Sequence, residues 1–234
     1  MRLVLVPGFT QTAAAWDAVR PHLPPDVDAV ALDVPTGLGF VETATAICEL
    51  GGRAVYAGYS MGGRLCLRAA LDHPDLVRGL VLLSASPGIA DPDERARRRA
   101  ADEQLARTIE HEGIDVFLER WLRQPLFATL PADAAALESR RAGNTVATLT
   151  HALRALGPGM QEPLWDRLGH LEPPFLPVAG TLDEKYVDIA FDMARRVGRD
   201  VHPLLIGGAG HAVHLEQPEA VAGVLRRFAH DLTS

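Results

Sequence analysis

Hydrophobic and polar positions along this chain follow two alternating rhythms. Short runs rich in apolar and β-branched residues fall at Leu3–Val6, Val27–Val34, Arg53–Tyr59, Leu80–Ser84, Phe175–Ala179 and Val201–Ile206. Helical patterns lie between them: one after Trp16, one across Val41–Leu50, Gly62–His73 closed by Pro74, Tyr186–Val197, and Pro218–Leu232 with Pro218 near its start. Strand then helix, repeated, predicts an α/β fold with a mostly parallel sheet of about six strands flanked by helices on both faces. Between Pro87 and Pro173 the alternation stops and helix follows helix. Asp91-Pro92-Asp93-Glu94 opens that stretch with a cap-forming Asp, a Pro at the first helical position and acids in the first turn. The pattern therefore predicts a core of residues 1–90 and 171–234 interrupted by a helical cap, residues 91–170.

Composition narrows the class of protein. With 234 residues, 47% apolar and 23% charged, the chain has enough apolar side chains for a real core and is not a disordered polymer. A net charge of -7 argues against a nucleic-acid coat. No run approaches the ~18 apolar residues of a membrane span, and Met1–Val6 ends at Pro7-Gly8, too short for a signal-peptide core. The expectation is a cytoplasmic protein without membrane or nucleic-acid partners. Cys48 and Cys66 sit in apolar stretches without metal-ligand spacing and read as free, buried thiols. Lys185 is the only lysine among 23 basic residues. The cap carries 11 arginines but 13 acids, so most of its charges belong to solvated faces rather than to a basic module.

The strongest local signal is Gly58-Tyr59-Ser60-Met61-Gly62, which directly follows one β run and opens a helical stretch. A sharp strand-to-helix turn there thrusts a serine out of the sheet, and small residues two before and two after relieve the crowding. Serine needs a histidine to become a base or nucleophile. His211, in the flexible Gly207-Gly208-Ala209-Gly210-His211 loop beyond the last β run, is the candidate, with His214 the near alternative and His73 closing a helix. The third member should be an acid at the end of the preceding strand, in chain order serine, acid, histidine. Asp183 fits, with Glu184 as its neighbour and competitor. Two backbone N–H groups should form an oxyanion hole: Met61, after the serine, and Phe9, in the Pro7-Gly8-Phe9 loop after the first strand. The glycine tract 207–210 lacks the lysine and following helix of a phosphate loop.

These residues, in this order, resemble the α/β-hydrolase superfamily over essentially the whole chain. Tyr59-Ser60-Met61-Gly62-Gly63-Arg64, Ser84-Ala85-Ser86-Pro87-Gly88-Ile89, Glu94-Arg95-Ala96-Arg97-Arg98 and Trp121-Leu122-Arg123-Gln124-Pro125-Leu126-Phe127 are similar, more narrowly, to the MenH family. These are the 2-succinyl-6-hydroxy-2,4-cyclohexadiene-1-carboxylate synthases of menaquinone biosynthesis. The resemblance implies a lyase that removes pyruvate from a tricarboxylate by proton abstraction and elimination, with Ser60 as the base activated by His211. It further implies that Arg64, Arg98 and Arg141 bind substrate carboxylates and that Tyr59 and Trp121 wall the pocket. Planar, permanently charged guanidinium forks suit such a substrate. No cofactor or metal is called for; the partner would be a small-molecule polycarboxylate, on a monomer or small homo-oligomer. Pro7 stands where the family often has a histidine, and Leu122 where it can have a tyrosine. Two readings remain beside this one: a serine hydrolase, either a carboxylesterase or a carbon–carbon bond hydrolase, with Ser60 as nucleophile, and a non-catalytic binding protein on the same fold.

Overall fold

The strands that the apolar runs predict assemble into one six-stranded parallel sheet in the computed structural model, which describes residues 1–232. They are β1 (Arg2–Val6), β2 (Asp28–Ala31), β3 (Ala54–Tyr59), β4 (Val77–Leu83), β5 (Phe175–Gly180) and β6 (Leu204–Ile206), in the order β2-β1-β3-β4-β5-β6. The central β3 is buried along its whole length, which explains why it reads as a continuous apolar run rather than an alternation. Val4, Val6, Tyr56, Leu80 and Leu82 face one side, while Leu3, Leu5, Val55, Val81 and Leu83 face the other, as the two-residue strand period requires. The first face packs on α1 (Phe40–Gly51), α2 (Met61–Asp72) and α7 (Glu184–Val197); the second packs on Trp16, on α8 (Val213–Glu216) and on α9 (Pro218–Asp231).

Three local predictions are corrected. The edge strands β2 and β6 are shorter than their apolar runs, because each has a neighbour on one side only. Pro203, which has no N–H to donate, immediately precedes β6. β4 starts at Val77, three residues early; the exposed Arg78 and the buried Gly79 mask its start, and a Cβ on Gly79 would press on Leu232 and Phe228. The segment around and after Trp16 forms two short 3-10 turns, Ala13–Trp16 and Arg20–His22, instead of an α-helix. Pro21, Pro24 and Pro25 stop it from propagating.

Between β4 and β5 the chain leaves the sheet as α3 (Pro92–Glu112), α4 (Ile114–Leu122), α5 (Leu137–Gly143) and α6 (Val146–Leu156). Asp91 caps α3 by accepting the Glu94 N–H at 2.7 Å, with Pro92 in the first turn. This cap has its own small core of Ala106, Ile109, Phe117, Leu118, Leu149 and Leu153, on which Phe9 from the loop after β1 also packs. Cys48 and Cys66 are free and buried, and burial pushes the Cys48 thiol up to about 11. Among the described residues no helix is long and apolar enough to cross a membrane.

Candidate active site

Each chemistry-bearing residue sits just past the C-terminal end of a strand. Ser60 follows β3 with φ 49°, a left-handed conformation that costs a non-glycine residue strain and throws its side chain clear of the sheet. Neighbouring glycines make this turn sterically feasible. A Cβ on Gly58 would lie 2.6 Å from the backbone of Gly62 and Gly63, and one on Gly62 would collide with the carbonyls of Val6 and Pro7. The N-terminus of α2 is thereby pressed against the loop after β1, where Phe9 and Met61 both line the space beside Ser60.

His211 reaches that space from the loop after β6. Its Nε2 lies 3.3 Å from Ser60 Oγ, and its Nδ1 lies 2.7 Å from Asp183 Oδ2. Asp183 ends the turn after β5, and both His211 and Asp183 are buried. This geometry suits a serine whose proton is taken by imidazole while the carboxylate fixes the tautomer. Glu216, unmarked in the sequence reading, holds the loop on both sides of His211: its carboxylate accepts the N–H of Gly210 at 2.8 Å and of Ala212 at 3.0 Å. His214 does not compete for Ser60. It is fully buried between Tyr59 and Trp16, its Nε2 3.1 Å from Gln11 Oε1, and burial lowers its pKa well below the usual histidine value. Glu184 points to solvent.

Above Ser60 lies a cavity of about 530 Å³ between core and cap. Tyr59 and Trp121 both line it, and the Phe9 and Trp121 rings meet edge to face at 5.1 Å. Four cations line it, Arg64, Arg97, Arg98 and Lys185, against one carboxylate, Glu94, although the whole chain is acidic. Arg64 is 6% exposed and its partners are neutral: the Gln161 Oε1 at 3.0 Å and the Leu156 carbonyl at 2.7 Å. Burial lowers its pKa to about 10, so it keeps its charge near neutrality. Arg98 is oriented by Asp102 at 2.9 Å, whose buried carboxyl is pushed above the usual range by desolvation. Among the described residues no cluster of His, Cys, Asp or Glu is arranged to hold a metal ion.

Residues 3–224 match the alpha/beta hydrolase family. The chain belongs to that family. Within it, the chain is 31% identical to the 2-succinyl-6-hydroxy-2,4-cyclohexadiene-1-carboxylate synthase of Enterobacter sp. (strain 638), over 97% of this chain and 90% of that protein. It is 30% identical to the synthase of the same name from Serratia proteamaculans (strain 568), over 91% and 83%. The solved structure of MenH from S. aureus superposes with a TM-score of 0.93 at 26% identity, covering 100% of this chain and 95% of that one.

One expected substrate contact of this alpha/beta hydrolase is corrected by its surroundings. Arg141 does not line the cavity; three carboxylates, those of Asp115, Glu119 and Glu138, take its guanidinium at 2.9, 3.0 and 2.6 Å. Its charge is thus already balanced by carboxylates of its own fold, away from the cavity. Arg97 and Lys185 line the cavity instead. Arg97 is one position from Arg98 on α3, and the run Arg97-Arg98-Arg99 alone does not reveal which members face inward. Gln161 was also missed, since its partner Arg64 is 97 residues away and no local pattern links them.

Proposed function

We propose that this protein is a carbon–oxygen lyase of menaquinone biosynthesis, the 2-succinyl-6-hydroxy-2,4-cyclohexadiene-1-carboxylate synthase. Its substrate would be 2-succinyl-5-enolpyruvyl-6-hydroxy-3-cyclohexene-1-carboxylate, from which it eliminates pyruvate. The observation that carries the reading is the cation-lined cavity over Ser60, with Arg64 buried and lacking a carboxylate partner. A buried guanidinium with only neutral acceptors is stabilised by an incoming anion, and a tricarboxylate supplies several. An ester of ordinary uncharged alcohols and acids would leave those cations unused.

In this reading His211 Nε2 takes the Ser60 proton, and Ser60 Oγ abstracts a proton from the substrate. The electron pair passes into the conjugated system as a dienolate whose oxygen is held by the Phe9 and Met61 amides. The carbon–oxygen bond to the enolpyruvyl group then breaks, and the departing group is protonated to give pyruvate. Asp183 stabilises the imidazolium while it carries the proton. No bond forms between Ser60 and substrate. Arg64 and Arg98 grip carboxylates away from the reacting carbons, with Tyr59 and Trp121 as apolar walls.

The test is pyruvate release from the tricarboxylate in ¹⁸O-labelled water. Elimination leaves no solvent oxygen in the cyclohexadiene product. Label in that product, or robust esterase turnover with no pyruvate, would assign the protein instead to the serine hydrolases.

A further inference from the structure

Arg141 and its neighbour Arg140 leave α5 in different directions, and Arg140 faces the core. Its guanidinium is 3% exposed. It donates to the Ala135 carbonyl at 2.8 Å and to the Thr10 hydroxyl, while its Nη2 has no partner among the described residues. Burial holds its pKa below the usual arginine value. A lone buried charge held by neutral acceptors is a costly arrangement, and an apolar side chain of similar volume would normally serve packing better. What this charge touches is therefore informative.

Thr10 directly follows Phe9, and its φ of 68° is a strained value for a non-glycine residue. The loop around it closes on itself, with the Gln11 N–H donating to the Gly8 carbonyl at 3.1 Å and the Gly8 N–H to the Gln11 side chain at 3.3 Å. α5 and the residue after it then fix the loop from outside. Asn144 Nδ2 donates to the Thr10 carbonyl at 2.9 Å and to the Arg140 carbonyl at 2.8 Å. Gly143 lies so close to Thr12 that a Cβ there would collide with the threonine methyl. The side chain and carbonyl of a single strained residue are thus both held by the cap.

We propose that Arg140 and Asn144 are positioning residues that clamp Thr10 and so set the direction of the Phe9 amide, making the oxyanion hole depend on the cap. The inference rests on the assignment of Phe9 to the oxyanion hole, and not on the identity of the substrate. α5 lines no part of the cavity over Ser60, yet its C-terminal half holds the loop that carries the preorganised donor a developing oxyanion meets. Releasing the clamp lets Thr10 relax toward negative φ, which turns the Phe9–Thr10 peptide and, in a loop closed by the Gly8–Gln11 bonds, moves Phe9 with it, so that the Gly8–Phe9 peptide no longer aims the Phe9 N–H at the reacting oxygen.

The experiment compares Arg140→Met, Arg140→Lys, Thr10→Val and Asn144→Ala by two rates and by Tm. One rate is acylation of Ser60 by p-nitrophenyl acetate, which uses the oxyanion hole whatever the natural substrate is. The other is pyruvate release from the tricarboxylate. Loss of an oxyanion donor costs about 10²–10³ in kcat, so misdirecting one should cost about 10- to 100-fold. We expect Arg140→Met to keep the wild-type Tm or exceed it, to lose that factor in acylation rate and in kcat, and to change KM less than threefold. Lysine should restore part of the rate, and the Arg140→Met/Thr10→Val double variant should be no slower than the worse single. Wild-type acylation in Arg140→Met, or a loss confined to KM, overturns the proposal. Should Arg140→Met not fold, Asn144→Ala decides on the same two criteria. If the wild type acylates but releases no pyruvate, the lyase reading fails while slower acylation in the variants still supports the clamp.

Discussion

Replacing Arg64 by methionine separates what this arginine does for the substrate from what it does for the fold. In the free protein the guanidinium spans Gln161 Oε1 at 3.0 Å and the Leu156 carbonyl at 2.7 Å, with no carboxylate partner. Removing it strands two buried acceptors, at about 1–3 kcal/mol each. It also relieves the desolvation of an unpaired charge, which costs several kcal/mol. The two effects oppose each other and are similar in size, so stability should change by about 2 kcal/mol or less, or within roughly 8 °C in Tm for a chain of this length. Catalysis has no such compensation. A charge-assisted hydrogen bond to a substrate carboxylate contributes about 1.5–3 kcal/mol, so kcat/KM for the tricarboxylate should fall about 10- to 150-fold. Steady-state pyruvate release measures this, with acylation by neutral p-nitrophenyl acetate as the uncharged reference. The loss on the tricarboxylate should exceed the loss on the ester by about tenfold or more. Equal losses on both, or full activity on the tricarboxylate, would refute the argument that the buried charge awaits an anion.

Ser60→Ala, His211→Ala and Asp183→Asn should each lower kcat/KM by orders of magnitude with the fold intact by circular dichroism. The Ser60→Ala/His211→Ala enzyme should lose little beyond the worse single, since such residues act as a unit; additive losses would break the assignment. Arg141→Ala should keep tricarboxylate activity within about twofold, because its carboxylate neighbours already neutralise it; a tenfold loss would return Arg141 to the site. His214, kept neutral by burial and then by the nearby Arg140 and His211, has a native pKa well below the ordinary histidine value of about 6.5. As pH falls through about 6.5 the unfolded chain takes up a proton that the native state refuses, so stability drops by up to about 1.4 kcal/mol per pH unit. A His214→Leu variant should show a flatter Tm between pH 6.5 and 5 than the wild type, and an unchanged slope would sink the attribution.

How far the chain could be read depended on how local each signal was. β3 was legible because a strand buried on both faces needs a continuous apolar run, and the elbow because Gly58 meets the backbone of Gly62 and Gly63 only a few residues on. The convergence of Ser60, Asp183 and His211 followed from chain order at strand ends, a rule of topology rather than of local sequence. Edge strands were overestimated, since apolar composition does not reveal where a second neighbour is missing. Arg140 and Arg141 illustrate the harder limit. Adjacent residues on a helix are about 100° apart, so one enters the core and the other meets solvent acids, and a seven-residue helix offers too little periodicity to tell which. Gln161 and Glu216 escaped because a single polar residue carries no pattern; their roles arise only when distant segments or a loop close around them.

The placement of the indoles makes the enzyme its own optical probe. Of three tryptophans, Trp121 and Trp165 line the cavity, while Trp16 is sealed on the opposite face of the sheet against His214, ring centroids 4.9 Å apart. Trp165 is tethered by its Nε1 donating to the Gly88 carbonyl at 2.9 Å, with Arg196 5.2 Å over its ring. Ligand entry therefore alters the surroundings of two emitters and leaves the third as a constant background. Fluorescence of the Ser60→Ala enzyme would follow binding without turnover, and Trp121→Phe or Trp165→Phe would tell on which wall of the cavity the ligand first settles.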